Sequence, residues 1–401
     1  RMSTNFEFKK PNFDNIKENM RGLKDKINLK REGNQPLKVA GIAFVILLIV
    51  SIIASSVRRQ FLGGIGNVNV FSILLGLNLI GVRIRSNGMM MFSSSTINIG
   101  VIVLLLIPIL ALVVANLFIY RRKIESIDRC IIEALKVGFV YGLLLAITSM
   151  FSTTKINLGM GNIFGFGNNY IAIGYKFFPA FGNGFLIAFL TSVILNYRKE
   201  FHGEYYTTDI VSDAVREFFK LSLIILVITA IVVFTKNSTL YDFGLSEYSK
   251  GGAVVAYIMQ MTAYLVTIAT GGIVHVGDSS SVSIFSIFNS ATFTDTKLLI
   301  RIIFCVFAIA MIFVGANIYR NYRFENRKTV LHFSIAFGFL VGLVAKFSTI
   351  SISGSMMQNM SSMDLAVRAG TFTTFVISIL FTVVFTEIGY MVAPHLDDLF
   401  K

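Results

Sequence analysis

Apolar runs of about twenty residues, separated by short polar breaks, occupy most of this chain. Eight of them, near 38–57, 97–120, 131–150, 178–196, 218–235, 298–319, 330–349 and 371–393, are long enough to cross a bilayer core as helices. Two further apolar stretches are of another kind. VFSILLGLNLIG at 70–81 is too short to span, and AVVAYIMQMTAYLVTIATGG at 253–272 is borderline. A crossing at 253–270 would invert all that follows and separate the Arg320–Lys328 turn from the other basic turns. Both stretches therefore read as re-entrant or interfacial helices. The segments after them alternate apolar and polar positions around Asn87-Gly88 and Gly277-Asp278, a hairpin signal.

The pattern recurs. From Val113 to Gly159 the chain reads as an apolar helix, a basic turn, a second apolar helix and a polar β-like segment. Some two hundred residues later, Val314 to Gly354 reads the same way. Ala115-Asn116 answers to Ala316-Asn317, Gly138 and Gly142 to Gly338 and Gly342, and Phe151-Ser152-Thr153 to Phe347-Ser348-Thr349. An even number of spans per copy starts both on one side, which predicts parallel repeats about an axis along the membrane normal. The expected fold is an all-α polytopic membrane protein of about eight transmembrane helices. These form two parallel four-helix repeats, with short re-entrant or interfacial helices and β-hairpins in the outer loops. Its divisions are a basic arm (1–37), a first repeat (38–196), a connector with an amphipathic helix (197–217), a second repeat (218–393) and a short tail (394–401).

Composition agrees: 54% of residues are hydrophobic, 14% are charged, and the mean hydropathy is +0.71. Soluble domains are near a quarter charged. The net charge of +14 is concentrated in residues 1–38 and in turns such as Arg121-Arg122-Lys123 and Arg327-Lys328. That is the distribution of cytoplasmic segments, so the partner it implies is the anionic inner leaflet and not nucleic acid, for which no basic–aromatic motif is present. Arg58, Arg59, Arg83 and Arg85 fall on the outer side against this bias. Both termini are expected in the cytoplasm. Abundant Ile, Asn and Lys with no Trp suit a bacterial cell membrane.

Candidate chemistry is sparse. The two cysteines form no disulfide framework, and the histidines His202, His275, His332 and His395 form no metal set. GMGNIFGFGNN lacks the Gly-Lys-Ser/Thr of a phosphate loop. No catalytic group, cofactor or metal is expected, and the chain reads as a non-enzyme. Ionisable groups inside spans are costly, which singles out Glu387; Lys346 can snorkel to an interface. Asn116 and Asn317 suit hydrogen bonding between helices, and Gly271 and Gly272, closing a short apolar helix, could line a pathway. Two functions follow as expectations. One is a transporter or channel with a path between the halves, carried by Glu387, Asn116, Asn317, Gly271 and Gly272. The other is a non-catalytic scaffold or accessory subunit of an envelope complex, using apolar outer loops to meet a protein partner, a lipid or another copy.

Overall fold

A computed structural model describes residues 35–61, 69–87, 92–120, 124, 126–157, 170–197, 201, 206–235, 252–276, 280–284, 294–321, 327–356 and 365–399. Residues 1–34 of the basic arm, the Arg121–Lys123 turn and the Gly/Asn-rich run at 158–169 lie outside these residues.

The first half comprises α1 (Gln35–Phe61), α2 (Val70–Leu77), β1 (Val82–Asn87), β2 (Phe92–Ile99), a 3₁₀ turn (Ile102–Leu105), α3 (Leu106–Tyr120), α4 (Ile127–Phe151), β3 (Thr154–Asn157), β4 (Tyr170–Tyr175) and α5 (Phe177–Asn196). The second comprises α6 (Tyr206–Thr235), α7 (Gly252–Ala269), β5 (Val274–Val276), β6 (Ser280–Val282), α8 (Thr294–Asn321), α9 (Lys328–Phe347), β7 (Ile350–Met356), β8 (Leu365–Ala369) and α10 (Thr371–Leu399). The order of helices and strands is the same in both. Among the described residues, eight helices are long and apolar enough to cross a membrane, as in a multi-pass integral membrane protein. The short helices α2 and α7 are not among them. The expected connector helix and fifth span are one continuous helix, α6.

Packing of these helices rests on close backbone approach, as expected where lipid tails compete for apolar surface. A Cβ on Gly142 would lie 2.7 Å from the carbonyl oxygen of Phe181, and one on Gly138 3.0 Å from that of Phe185, where α4 crosses α5. In the second half Gly342 meets Phe375 and Gly338 meets Ile379 at the corresponding α9–α10 crossing. Each half buries its own apolar core, one around Leu47, Leu112 and Tyr141, the other around Ile225, Phe307 and Phe337.

The strands extend beyond separate hairpins. All eight join in one sheet of order β3-β4-β1-β2-β7-β8-β5-β6. Register repeats with the order. Val82 pairs with Ile97 and Tyr175, and Val274 pairs with Val282 and Ala369. Likewise Thr154–Ile173 is answered by Ile350–Val367, and Lys155–Ala172 by Ser351–Ala366. Since a one-residue slip would turn every side chain to the opposite face, agreement at each bridge means that both halves present matching positions to matching faces. Tyr175, Val274, Val282, Val367 and Ala369 belong to, or pack against, the helical cores. The alternate positions, including Arg83, Arg85, His275 and Arg368, share the other face. Arg85, His275 and Arg368 are exposed, and none of the eight strands contains a carboxylate. The cations that ran against the charge bias in sequence thus include a group on the outward face of this sheet.

Candidate functional site

The sheet end of the molecule is where the halves meet. Strand β2 pairs antiparallel with β7 through Ile97–Ile352, Asn98–Ser351 and Ile99–Ile350. Asn98 Nδ2 donates to Ser351 Oγ at 2.9 Å across this seam. Beside it the backbones nearly touch: a Cβ on Gly100 would fall 2.2 Å from the Thr349 carbonyl oxygen. One side chain, Gln260 of α7, bridges the halves beneath the seam. Its Oε1 accepts from the Ile102 amide at 3.1 Å, at the start of the 3₁₀ turn. Its Nε2 donates to the Ser348 carbonyl at 2.8 Å, which also accepts from Tyr264 Oη at 2.9 Å. Replacing Gln260 with Met keeps the length and removes both polar ends, leaving the Ile102 amide short of a partner. We expect a loss of about 1–3 kcal/mol in detergent stability, read as a lower melting temperature; an unchanged value would mean the bridge is not formed.

Gly271 and Gly272 end α7. Gly271 has φ 89°, in the left-handed region. Its amide donates to Ile268 O and that of Gly272 to Thr267 O, both at 2.9 Å. This pairing satisfies the last carbonyls of the helix as a Schellman motif. The same cap closes α2, with Leu79 N to Gly76 O at 2.9 Å and Ile80 N to Leu75 O at 3.2 Å. There a leucine, with φ 53°, occupies the left-handed position. Around Leu79 lies a polar cluster. Tyr141 Oη donates to Asn78 Oδ1 at 2.9 Å, Asn78 Nδ2 to Leu74 O at 2.9 Å, and Asn183 Nδ2 to Leu79 O at 3.0 Å. In the second half the matching positions are Thr270, Val341 and Ile377, and Ile377 packs against Gly271. One helix end is held by amides and a phenol, the other by glycine against Ile377 and Phe381.

The other sequence candidates lie at the opposite, turn end and do not converge with the glycines. Asn116 is buried between α3 and α5. Its Nδ2 donates to Leu112 O (2.8 Å) and Ser192 Oγ (3.3 Å), and its Oδ1 accepts from Asn196 (3.2 Å). Asn317 is exposed and helps line a pocket with Asp213, Arg216, Glu217, Asn321 and Thr329. The charges there pair among themselves, Arg216 with Asp213 at 2.9 Å and Lys220 with Glu217 at 2.7 Å. Glu387 accepts from Arg327 Nε at 3.0 Å. Arg327 is 75% exposed against 20% for Glu387, so the pair contributes under about 1 kcal/mol. Glu387→Gln is expected to leave the melting temperature nearly unchanged; a large drop would show a more enclosed pair.

A buried carboxylate escaped the sequence reading. Glu133, nearly two turns inside α4, accepts from Tyr120 Oη at 2.9 Å and from Lys136 Nζ at 2.8 Å. The available signal was Lys136 three residues on, the spacing that sets two helical side chains on one face.

No protein-family model matches the chain, and neither a curated protein nor a solved structure is significantly similar to it. Among the described residues, no three His, Cys, Asp or Glu side chains gather as a metal site would require.

Proposed function

We infer that this protein is a non-catalytic membrane scaffold, built by duplication of a four-span unit, whose working surface is the sheet at the outer side. The observation that carries the reading is the joint: the principal contacts between halves are β2 with β7 and α7 with the 3₁₀ turn, both at the sheet end. The span helices make their main contacts within their own half. A solute path between halves requires facing spans that line it with polar groups. Of the candidates, Asn116 is engaged with α5, Glu387 with the turn before α9 and the two glycines in a helix cap, while Asn317 faces a pocket at the turn end and not the joint between the halves. Duplication is supported by the identical element order, the matched register and the paired glycine crossings. The outward face, basic and free of carboxylates along its strands, suits a partner bearing anionic groups on the far side of the membrane from the basic turns.

Two short helices entering from one side favour the competing reading of a transporter or channel, so the experiment must separate the two. Reconstituted protein is tested for ion and small-solute flux, and protein extracted from native membranes is tested for stably bound components. The scaffold reading expects no flux above empty liposomes. It also expects a bound component that is lost on changing Arg85 and Arg368 to Gln with the fold retained. Flux that falls on replacing Asn183 or Gln260 would overturn it.

A further inference from the structure

The order of the sheet carries more than the joining of two halves. If the halves met about an internal two-fold axis, equivalent strands would face each other across the seam, β2 against β6 or β3 against β7. They do not. Strand β2 pairs with β7, whose counterpart in the first half is β3. The contact is therefore head-to-tail, and such a contact leaves one unused edge of each kind. Those edges end the sheet: β3 at one side and β6, the counterpart of β2, at the other. Among the described residues no strand pairs with the outer side of either.

We propose that the β6 edge of one molecule pairs antiparallel with the β3 edge of a second copy, continuing the sheet from chain to chain. The occupant follows from the seam inside the molecule, where an edge of the β2 type already accepts one of the β7 type. The register follows too. Ile97 pairs with Ile352 and Thr96 with Ser353 at the internal seam. By the matched bridges, Val282 and Ser281 stand where Ile97 and Thr96 do, and Ile156 and Asn157 where Ile352 and Ser353 do. The pairs between copies are then Val282 with Ile156 and Ser281 with Asn157. The operation keeps every copy in the same orientation relative to the membrane, as neighbours in one bilayer must be. A closed ring or an open row results, according to the angle each half adds. Strand β6 has three residues against eight in its counterpart β2, and shortness is one way in which edges are kept from pairing. The contact between copies is thus weaker than the internal seam and depends on concentration.

This inference rests on the duplication, so the test measures both separately. In full-length protein with Cys130→Ala and Cys305→Ala, the pair Ser281→Cys and Asn157→Cys is oxidised in native membranes. The internal pair Thr96→Cys and Ser353→Cys serves as reference. The internal pair should close within one chain, seen as loss of reactive thiols without change of size. The Ser281→Cys/Asn157→Cys protein should give dimers and a ladder above them, and each single variant none. Closure of the internal pair without a ladder overturns the proposal while leaving the duplication standing. Failure of the internal pair overturns the register on which both rest. A dimer from Ser281→Cys alone would replace the head-to-tail contact with a symmetric one. If the cysteine-free background does not fold, light scattering of the unaltered protein across a concentration series decides: mass must rise above one chain, and a constant monomer overturns the proposal.

Discussion

Gly389→Val is expected to cost about 3 kcal/mol or more, the upper range for forcing extra atoms into a packed contact. A Cβ at Gly389 would lie 1.9 Å from the Ile312 carbonyl oxygen, and one at Gly315 2.0 Å from that of Thr386. These obstacles are backbone atoms of the opposing helix, so no side-chain rotation relieves them. The two helices must separate, and the contacts along α8 and α10 go with them. Gly41→Val and Gly182→Val are the controls, since nothing lies within 4 Å of a Cβ at either. Thermal unfolding can be followed with a thiol-reactive dye, because Cys130 is buried and Cys305 exposed. Melting of Gly389→Val at the wild-type temperature would show that α8 and α10 are not in backbone contact.

A second large effect is expected at the end of α2. Asn183→Ile removes the donor to Leu79 O and introduces the residue found at the matching position of α10. Left alone, it takes the donor from the part-buried Leu79 carbonyl, at about 1–3 kcal/mol, and sets an isoleucine against Leu79. The second half has solved the same geometry with Gly271 facing Ile377. Adding Leu79→Gly should therefore recover part of the loss. It removes the crowding Cβ, along with the roughly 1–2 kcal/mol that a side chain costs in the left-handed region. The expected signature is non-additivity, as for residues in contact: Leu79→Gly should change the stability of the Asn183→Ile protein by about 1 kcal/mol more favourably than it changes that of the unaltered protein. Additive effects of the two changes would mean that the two helix ends are not interchangeable.

Span positions were legible because a bilayer demands length and apolarity together, and both are properties of the linear chain. The two short helices were set apart by the same criterion, aided by the basic turns. The recurrence of the pattern was visible where glycine was required, since Gly138, Gly142, Gly338 and Gly342 each admit a neighbouring helix. The single sheet was not legible. Each strand announces its alternation, but pairing between β2 and β7 is a relation between distant segments that no local pattern records. Roles of the candidate residues were hidden for a related reason. Asn116 and Asn317 look alike in sequence, yet one is buried against Ser192 and Asn196 while the other is exposed at a pocket. Gly271 and Gly272 close α7 through cap bonds that the sequence pattern did not announce.

The seam has a consequence in time. Asn98 and Ser351 are 253 residues apart, so β2 is made long before the strand that completes it. At about 5–20 residues per second, roughly 13–50 s of synthesis separate the two, and three more span-forming helices must be threaded into the membrane in that interval after the first half is finished. Throughout it the nascent chain exposes an unfilled strand edge of the kind that β3 of a neighbouring chain can occupy. Dense translation of one message would therefore favour exchange between adjacent nascent chains, whereas sparse initiation would let each chain close its own seam.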